Sequence, residues 1–79
     1  MSTADALDPV ALARVRRLLT SGEARAIRLR AGLSYSEVAA PIGVRRSCIS
    51  NWESGYRKPS GDAAVQYLRV LDRLSLDTP

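Results

Sequence analysis

The sequence has no histidine and no phenylalanine, and it contains one cysteine, one tryptophan and one lysine. Without histidine the chain lacks the side chain that most often transfers protons near neutral pH. Cys48 has no histidine to activate it as a nucleophile, so we interpret it as a packing residue. One cysteine and no histidine are also too few ligands for a zinc site. These absences argue against an enzyme and predict neither a metal nor a cofactor.

Long hydrophobic runs are missing as well. The sequence has no stretch of about 18 apolar residues, so no transmembrane helix is predicted. The opening residues, MSTADALDPV, contain no basic region followed by an apolar one, and we therefore expect no secretory signal. A single cysteine excludes an internal disulfide framework and fits a reducing compartment. We expect a cytoplasmic protein.

The composition that remains is that of a small basic domain. A chain of 79 residues suffices for one domain with one modest core, which aliphatic side chains must fill because aromatic residues are only 5% of the chain. The net charge is +4, and eleven of the 12 cations are arginine. A basic domain favours a polyanionic partner, although GC-rich coding would also raise the arginine content.

Apolar spacing and capping residues predict five helices and no strands. Asp8 and Pro9 form a typical helix start, and SYSE at positions 34–37 is a capping box. Pro41 predicts that the helix opened by this box is short or distorted. The expected helices cover approximately residues 9–20, 22–31, 35–43, 46–54 and 61–74, with Ser60 as the alternative start of the last helix. We therefore predict an all-α, compact five-helix bundle over residues 8–74, with a flexible segment at 1–7 and a fraying tail at 75–79.

A helix-turn-helix pattern extends over residues 35–54. Two helices that cross steeply through a short turn need a small residue at their contact and a glycine in the turn. Ala39 and Gly43 meet these requirements. The surrounding apolar positions are filled by Val38, Ile42, Val44, Ile49 and Trp52. This pattern favours DNA binding, while a purely structural helical hairpin would satisfy part of it.

The run from Arg28 to Pro59 carries the motifs AGLS, SEVA, IGV, ISNWESG and YRKP. These motifs resemble the phage repressor and Cro-like helix-turn-helix family, also called the xenobiotic response element (XRE) family, and the resemblance covers roughly residues 21–74. It implies a lambda-repressor-like helical bundle in which the second helix of the motif enters the major groove of DNA. It also implies a transcriptional regulator that binds operator DNA as a homodimer, although the sequence itself leaves a monomer open.

The resemblance places the base-reading residues on the predicted helix 46–54, at Arg46, Ser47, Ser50 and Asn51. Their chemistry suits this role, since arginine can bond bidentately to guanine and asparagine to adenine. A solvated position on the helix surface is the alternative for Asn51. The resemblance also implies a buried ion pair between Arg28 and Glu53 that orients the recognition helix.

Contacts to the DNA backbone are expected around the same helix. Arg45 matches the N-cap position, where the family usually has serine or threonine. Because arginine cannot accept a backbone N–H, we interpret Arg45 as a phosphate or groove contact. Tyr35 matches a position where glutamine is frequent, and it keeps a hydroxyl donor but loses the amide. The other candidates, for several of which an exposed surface position is the alternative, are Ser34, Ser54, Tyr56, Arg57 and Lys58.

The predicted helix 9–20 precedes the segment that resembles the family. Family members commonly have a further helix after the fourth that contributes to the dimer interface, and here the chain reaches Pro79 soon after Leu74. We hypothesise that helix 9–20 covers the corresponding core surface. It would also present Arg14, Arg16 and Arg17 to DNA or to a protein partner.

The function that these patterns favour is a sequence-specific, double-stranded DNA-binding regulator of the repressor or Cro type, of phage or bacterial origin. The alternative is an interaction module of the antitoxin type that holds a toxin and represses its own operon. A large exposed apolar face on helix 9–20 would favour that alternative.

Overall fold

The computed structural model describes residues 8–77, with the side chain of Asp77 excepted. This part of the chain forms five helices and no strand, so the predicted all-α class is confirmed. The helices are α1 (Pro9–Thr20), α2 (Glu23–Arg30), α3 (Tyr35–Ile42), α4 (Arg46–Ser54) and α5 (Gly61–Asp77). The segment predicted to be flexible, residues 1–7, lies outside the described residues.

Local capping fixes the starts of α1 and α3. The backbone N–H of Val10 donates to the Asp8 carboxylate at 2.9 Å. At α3, the N–H of Glu37 donates to Ser34 Oγ at 3.1 Å, and the N–H of Ser34 donates to Glu37 Oε1 at 2.9 Å. These bonds satisfy N–H groups that have no partner within the helix, and they explain why the capping residues predicted both helix starts.

The end of α5 differs from the prediction. Residues 75–77 were expected to belong to a fraying tail, but α5 continues through Asp77. Between Leu74 and Asp77 the sequence contains neither glycine nor proline, so no residue stops the helix there. Leu74 is also half-buried against the core, which ties the last turns of the helix to the rest of the bundle.

The turn between α3 and α4 is three residues long. α3 passes through Pro41 and ends one residue later, so it is short, as predicted. Gly43 follows with φ +83°, a conformation that residues with a Cβ rarely adopt. The N–H groups of Gly43 and Val44 both donate to Ala39 O, at 3.0 and 3.3 Å. The turn therefore closes the end of α3 and directs the chain into α4.

Helix α5 forms the centre of the bundle and contacts α1, α2 and α3, while α3 packs closely on α4. Val15 of α1 is fully buried in the same core, so α1 covers one side of it. The rings of Trp52 on α4 and Tyr67 on α5 are 5.0 Å apart between centroids. The buried core cluster comprises Val15, Ala24, Ile27, Val38, Ala39, Ile49, Trp52, Ala64, Tyr67, Leu68 and Leu71.

Candidate nucleic-acid interface

Helix α4 has one buried and one outward face. Ile49 is fully buried and Trp52 is 7% exposed, and both pack into the core. The four residues predicted to read bases follow the helical spacing of the opposite face, at positions 46, 47, 50 and 51. Two of them, Arg46 and Ser47, are exposed, and Ser50 and Asn51 are half-buried. The structure therefore brings the four together on one face of a nine-residue helix.

The first turn of α4 has no side-chain cap. Arg45 occupies the N-cap position in an extended conformation, and its side chain makes no capping hydrogen bond. The N–H of Cys48 donates to Arg45 O at 2.9 Å, whereas the N–H groups of Arg46 and Ser47 precede the first intrahelical bond. These two N–H groups and the helix dipole make this end of α4 favourable for an anion.

Three serine hydroxyls near α4 already form hydrogen bonds within the protein. Ser50 Oγ donates to Ser47 O at 3.1 Å, and Ser54 Oγ donates to Asn51 O at 3.1 Å. Ser54 Oγ also accepts the N–H of Tyr56 at 3.4 Å, whereas the oxygen of Ser50 can still accept a hydrogen bond. Ser34 Oγ instead accepts the Glu37 N–H as a helix cap, so its O–H remains a donor. Of these three hydroxyls, Ser34 is therefore the one suited to a phosphate oxygen.

A buried ion pair ties α4 to α2. Arg28 donates from Nε to Glu53 Oε2 at 2.6 Å and from Nη2 to Glu53 Oε1 at 2.9 Å. The two side chains are only 9% and 4% exposed. Nη1 of the same guanidinium donates to Leu33 O at 3.0 Å. Hydrogen bonding to Glu53 raises the pKa of Arg28, while burial opposes the rise. This pair links α2, the α2–α3 connection and the end of α4.

Tyr35 lies over this ion pair. Its ring centroid is 4.3 Å from Cζ of Arg28, a cation–π distance, and the side chain is half-buried. The sequence suggested a DNA contact for Tyr35 but gave no sign of this stacking. The ring thus contacts Arg28 within the protein. Tyr35 is also the first residue of α3, directly after the N-cap Ser34, which is the other predicted backbone contact at this helix start.

The segment from Gly55 to Ser60, called the 55–60 loop below, connects α4 to α5. The N–H of Arg57 donates to Asn51 O at 3.2 Å, which closes the end of α4. Three consecutive side chains of the loop are exposed, and the guanidinium of Arg57 lies 5.7 Å from the ring of Tyr56. The predicted backbone contacts in this loop, Tyr56, Arg57 and Lys58, are therefore accessible.

Positive charge is concentrated around α4. Between positions 44 and 61 the chain carries four cations and one acid. The acid is Glu53, whose carboxylate is buried and paired with Arg28. The cations are Arg45, Arg46, Arg57 and Lys58, all exposed. This surface is therefore suited to a polyanion.

Two of the three α1 arginines are engaged within the protein, which corrects the expectation that all three are presented outward. Arg14 forms a bidentate pair with Asp72, at 3.0 and 2.8 Å. Arg16 donates two hydrogen bonds to Pro59 O. Arg17 is exposed. These pairings join residues distant in the chain, so no local pattern in the sequence could indicate them.

Helix α1 does not expose the large apolar face that would favour the antitoxin alternative. Val10 is 72% exposed, but Val15 is fully buried, and Leu12, Leu18 and Leu19 pack partly buried against the core.

Within residues 8–77, no group of acidic, histidine and cysteine side chains could hold a metal ion. No helix in that part of the chain is long and apolar enough to span a membrane.

Comparison with known proteins identifies the family. A family model described as helix-turn-helix matches residues 25–78, which include most of α2 and all of α3, α4 and α5. Helix α1 lies outside the match. No curated protein and no solved structure gives a significant match to the chain. This family model matches more than half of the chain. The protein therefore belongs to the XRE-type helix-turn-helix family of DNA-binding domains, the family of the phage repressors and Cro.

Proposed function

We propose that the protein is a sequence-specific transcriptional regulator that binds double-stranded operator DNA with α4 in the major groove. The observation that carries this proposal is the outward face of α4, which groups an arginine, an asparagine and two serines on a helix anchored by Ile49 and Trp52. An α-helix fits the major groove, and these side chains can hydrogen-bond to base edges there.

Within this face, Arg46 and Asn51 have different tasks. Arg46 is exposed on the first turn of α4 and can reach guanine O6 and N7. Asn51 lies more than one turn further along and suits adenine N6 and N7. Ser47 and Ser50 contribute shorter contacts, with the oxygen of Ser50 acting as an acceptor because its proton is bonded to Ser47 O.

The residues around α4 position the duplex without reading its sequence. Arg45 and the open N–H groups at the start of α4 suit a phosphate on one side of the groove. The exposed side chains of the 55–60 loop suit phosphates near the other end of the helix. Ser34 and the hydroxyl of Tyr35 are the remaining candidates for backbone contacts, whereas Ser54 would have to turn its hydroxyl away from Asn51 O before it could donate to a phosphate.

Regulation would follow from occupancy of a promoter, with repression as the expected result. A homodimer on a two-fold symmetric site is the expected assembly, because a dimer reads two half-sites about one helical turn apart. A cytoplasmic location in a bacterium, or in the host of a phage, fits this role. The proposal includes no catalytic step and no cofactor.

Selection of binding sites from a random pool of double-stranded DNA tests the function directly. We expect a defined site of two inverted half-sites, with tight binding that weakens steeply as salt rises. Mass measurement of the complex should give two chains per duplex, whereas one chain on an asymmetric site would replace the dimer by a monomer. Enrichment of no sequence above the starting pool would refute sequence-specific binding.

A further inference from the structure

Helix α1 lies outside the region matched by the family, yet one of its side chains holds the loop that follows the recognition helix. The guanidinium of Arg16 donates to the carbonyl oxygen of Pro59 from Nε at 3.3 Å and from Nη2 at 3.1 Å. The two residues are 43 positions apart in the chain. The bonds therefore connect α1 with the end of the 55–60 loop.

The 55–60 loop is held at two points and exposed between them. At its third residue the N–H of Arg57 is bonded to Asn51 O. At its end the side chain of Pro59 is buried, and its carbonyl accepts the two bonds from Arg16. The side chains of Arg57 and Lys58 are exposed. Arg16 thus fixes the second attachment point of a loop whose cations face solvent.

A cleft of about 330 Å³ lies between α1 and the loop. Leu19 belongs to one wall, Trp52 lies at the end of α4, and Arg57 belongs to the loop wall. Arg16 and Pro59 also line this cleft, so their hydrogen bonds bridge the two walls. Side chains do not fill the cleft, so van der Waals packing does not join α1 to the loop there. The hydrogen bonds of Arg16 make that connection instead.

The bridge consists of charge-assisted hydrogen bonds and is not an ion pair. Arg16 is bonded to a neutral carbonyl, two residues before α5 begins at Gly61. A cation near a helix N-terminus is disfavoured by the helix dipole. The half-buried guanidinium is therefore held there by hydrogen-bond geometry, which fixes the position of Pro59.

We propose that Arg16 is a positioning residue for DNA binding, which holds the 55–60 loop in the conformation that presents Arg57 and Lys58 to DNA phosphates. This inference rests on the proposed function. A loop that is ordered before binding loses less conformational entropy in the complex, so the anchor raises affinity without touching DNA. The helix outside the family match thereby acts on the DNA interface.

Arg16→Met tests the proposal, with Arg14→Met as the matched control. Each variant removes one positive charge and one internal partner from α1, but Arg14 pairs with Asp72 on α5 rather than with the loop. On cognate and on random DNA alike, we expect Arg16→Met to weaken binding about threefold to tenfold more than Arg14→Met. Equal weakening by the two variants would overturn the proposal. Arg16→Lys keeps the charge and an ammonium that can donate to Pro59 O, so it should recover part of the affinity.

A second comparison shows whether Arg16 acts through the loop cations. If it does, adding Arg16→Met to Arg57→Ala should weaken binding less than it does in the wild-type chain, because the positioned contact is already gone. Fully additive effects would contradict this route.

Hydrogen exchange without DNA gives an independent readout. The N–H of Arg57 and its loop neighbours should exchange faster in Arg16→Met than in Arg14→Met, at matched global stability. If the wild-type chain binds DNA but exchange in Arg16→Met is unchanged, the positioning role is refuted and the proposed function is not. Failure of the wild-type chain to bind any DNA would instead overturn the proposed function.

Discussion

The guanidinium carbon of Arg28 lies 4.3 Å from the centre of the Tyr35 ring, while the same guanidinium is bonded to Glu53 and to Leu33 O. The planar edges of the guanidinium donate hydrogen bonds, and the tyrosine ring covers one of its faces. Residues from α2, α3 and α4 therefore meet at one cation. This arrangement links the start of α3, where DNA contacts are expected, to the end of α4, the proposed recognition helix.

Two substitutions at Tyr35 should distinguish the contribution of the ring to stability from the contribution of the hydroxyl to DNA binding. Tyr35→Phe keeps the ring over Arg28 and should leave the free energy of unfolding unchanged, while removing a hydroxyl that can bond a phosphate. We expect DNA affinity to fall by about 0.5–1.5 kcal/mol, equally on cognate and random sequences. Tyr35→Gln removes the ring and should lower the free energy of unfolding by about 0.5–1 kcal/mol. Urea denaturation measures the effect on stability, and binding titrations measure the effect on DNA affinity. A Tyr35→Gln variant as stable as the wild type would show that the stacking on Arg28 contributes nothing to the free energy of unfolding.

Breaking the Arg28–Glu53 pair should be strongly destabilising. Glu53→Gln leaves a buried guanidinium without its counter-charge, and we expect a loss of about 3–5 kcal/mol in the free energy of unfolding. Replacing both partners, by Arg28→Met with Glu53→Leu, removes the stranded charge and should recover much of that loss. Urea denaturation of the two variants gives the comparison. A double variant that is less stable than Glu53→Gln would contradict this account of the pair.

Arg46→Ala and Arg57→Ala should weaken DNA binding in different ways. Arg46→Ala should cost about 1–3 kcal/mol on the selected site and relax the preference at one base pair. Arg57→Ala should weaken all sequences similarly and reduce the slope of log K against log salt by about one unit. Titrations at several salt concentrations on cognate and random duplexes distinguish them. Equal losses of Arg46→Ala on both duplexes would reassign Arg46 to a phosphate, and an unchanged salt slope for Arg57→Ala would remove it from the interface.

The features predicted correctly from the sequence are mainly local. Helix α4 begins and ends where its apolar spacing and Gly55 indicated, and the capping box at Ser34 and Glu37 is present. Such signals lie within a few residues of each other, so they survive without knowledge of the fold. The long-range Arg28–Glu53 pair was expected only because the motifs resemble a known family.

The contacts that could not be predicted depend on how helices cross. Arg14 meets Asp72 across 58 positions, and Arg16 meets Pro59 O across 43. Neither the spacing nor the type of these residues indicates which partner an arginine on α1 will find. The stacking of Tyr35 on Arg28 was missed for a related reason, since it depends on the side-chain direction at the α2–α3 junction. Tertiary geometry decides all three contacts.

The role of α1 in the core leads to a prediction about stability. Val15 is fully buried, whereas Val10 on the same helix is 72% exposed. Val15→Ala should lower the free energy of unfolding by about 2 kcal/mol through lost burial and the cavity left behind. Val10→Ala is the matched control and should change it by less than about 0.5 kcal/mol. Equal, small effects of both substitutions in urea denaturation would show that α1 does not contribute to the core.

The buried hydroxyl of Tyr67 leads to a prediction about pH. Tyr67 is 1% exposed, and among the described residues its oxygen has no hydrogen-bond partner. Burial raises the pKa of this hydroxyl, with the nearby Glu53 carboxylate adding to the rise and Arg28 opposing it. Tyr67→Phe keeps the ring beside Trp52 and removes the unpartnered oxygen. At neutral pH we expect this substitution to raise the free energy of unfolding by about 1 kcal/mol.

The sign of the pH effect follows from the direction of that shift. In the unfolded chain the hydroxyl loses its proton near pH 10, whereas in the folded protein it remains protonated to higher pH. Because only the unfolded chain loses this proton near pH 10, the free energy of unfolding is unaffected below pH 10 and falls as pH rises above it, by up to about 1.4 kcal/mol per pH unit. Tyr67→Phe should remove this component, and Tyr56→Phe, at an exposed position, is the matched control. Urea denaturation between about pH 8 and pH 11 measures the difference, and parallel curves for wild type and Tyr67→Phe would contradict a raised pKa at Tyr67.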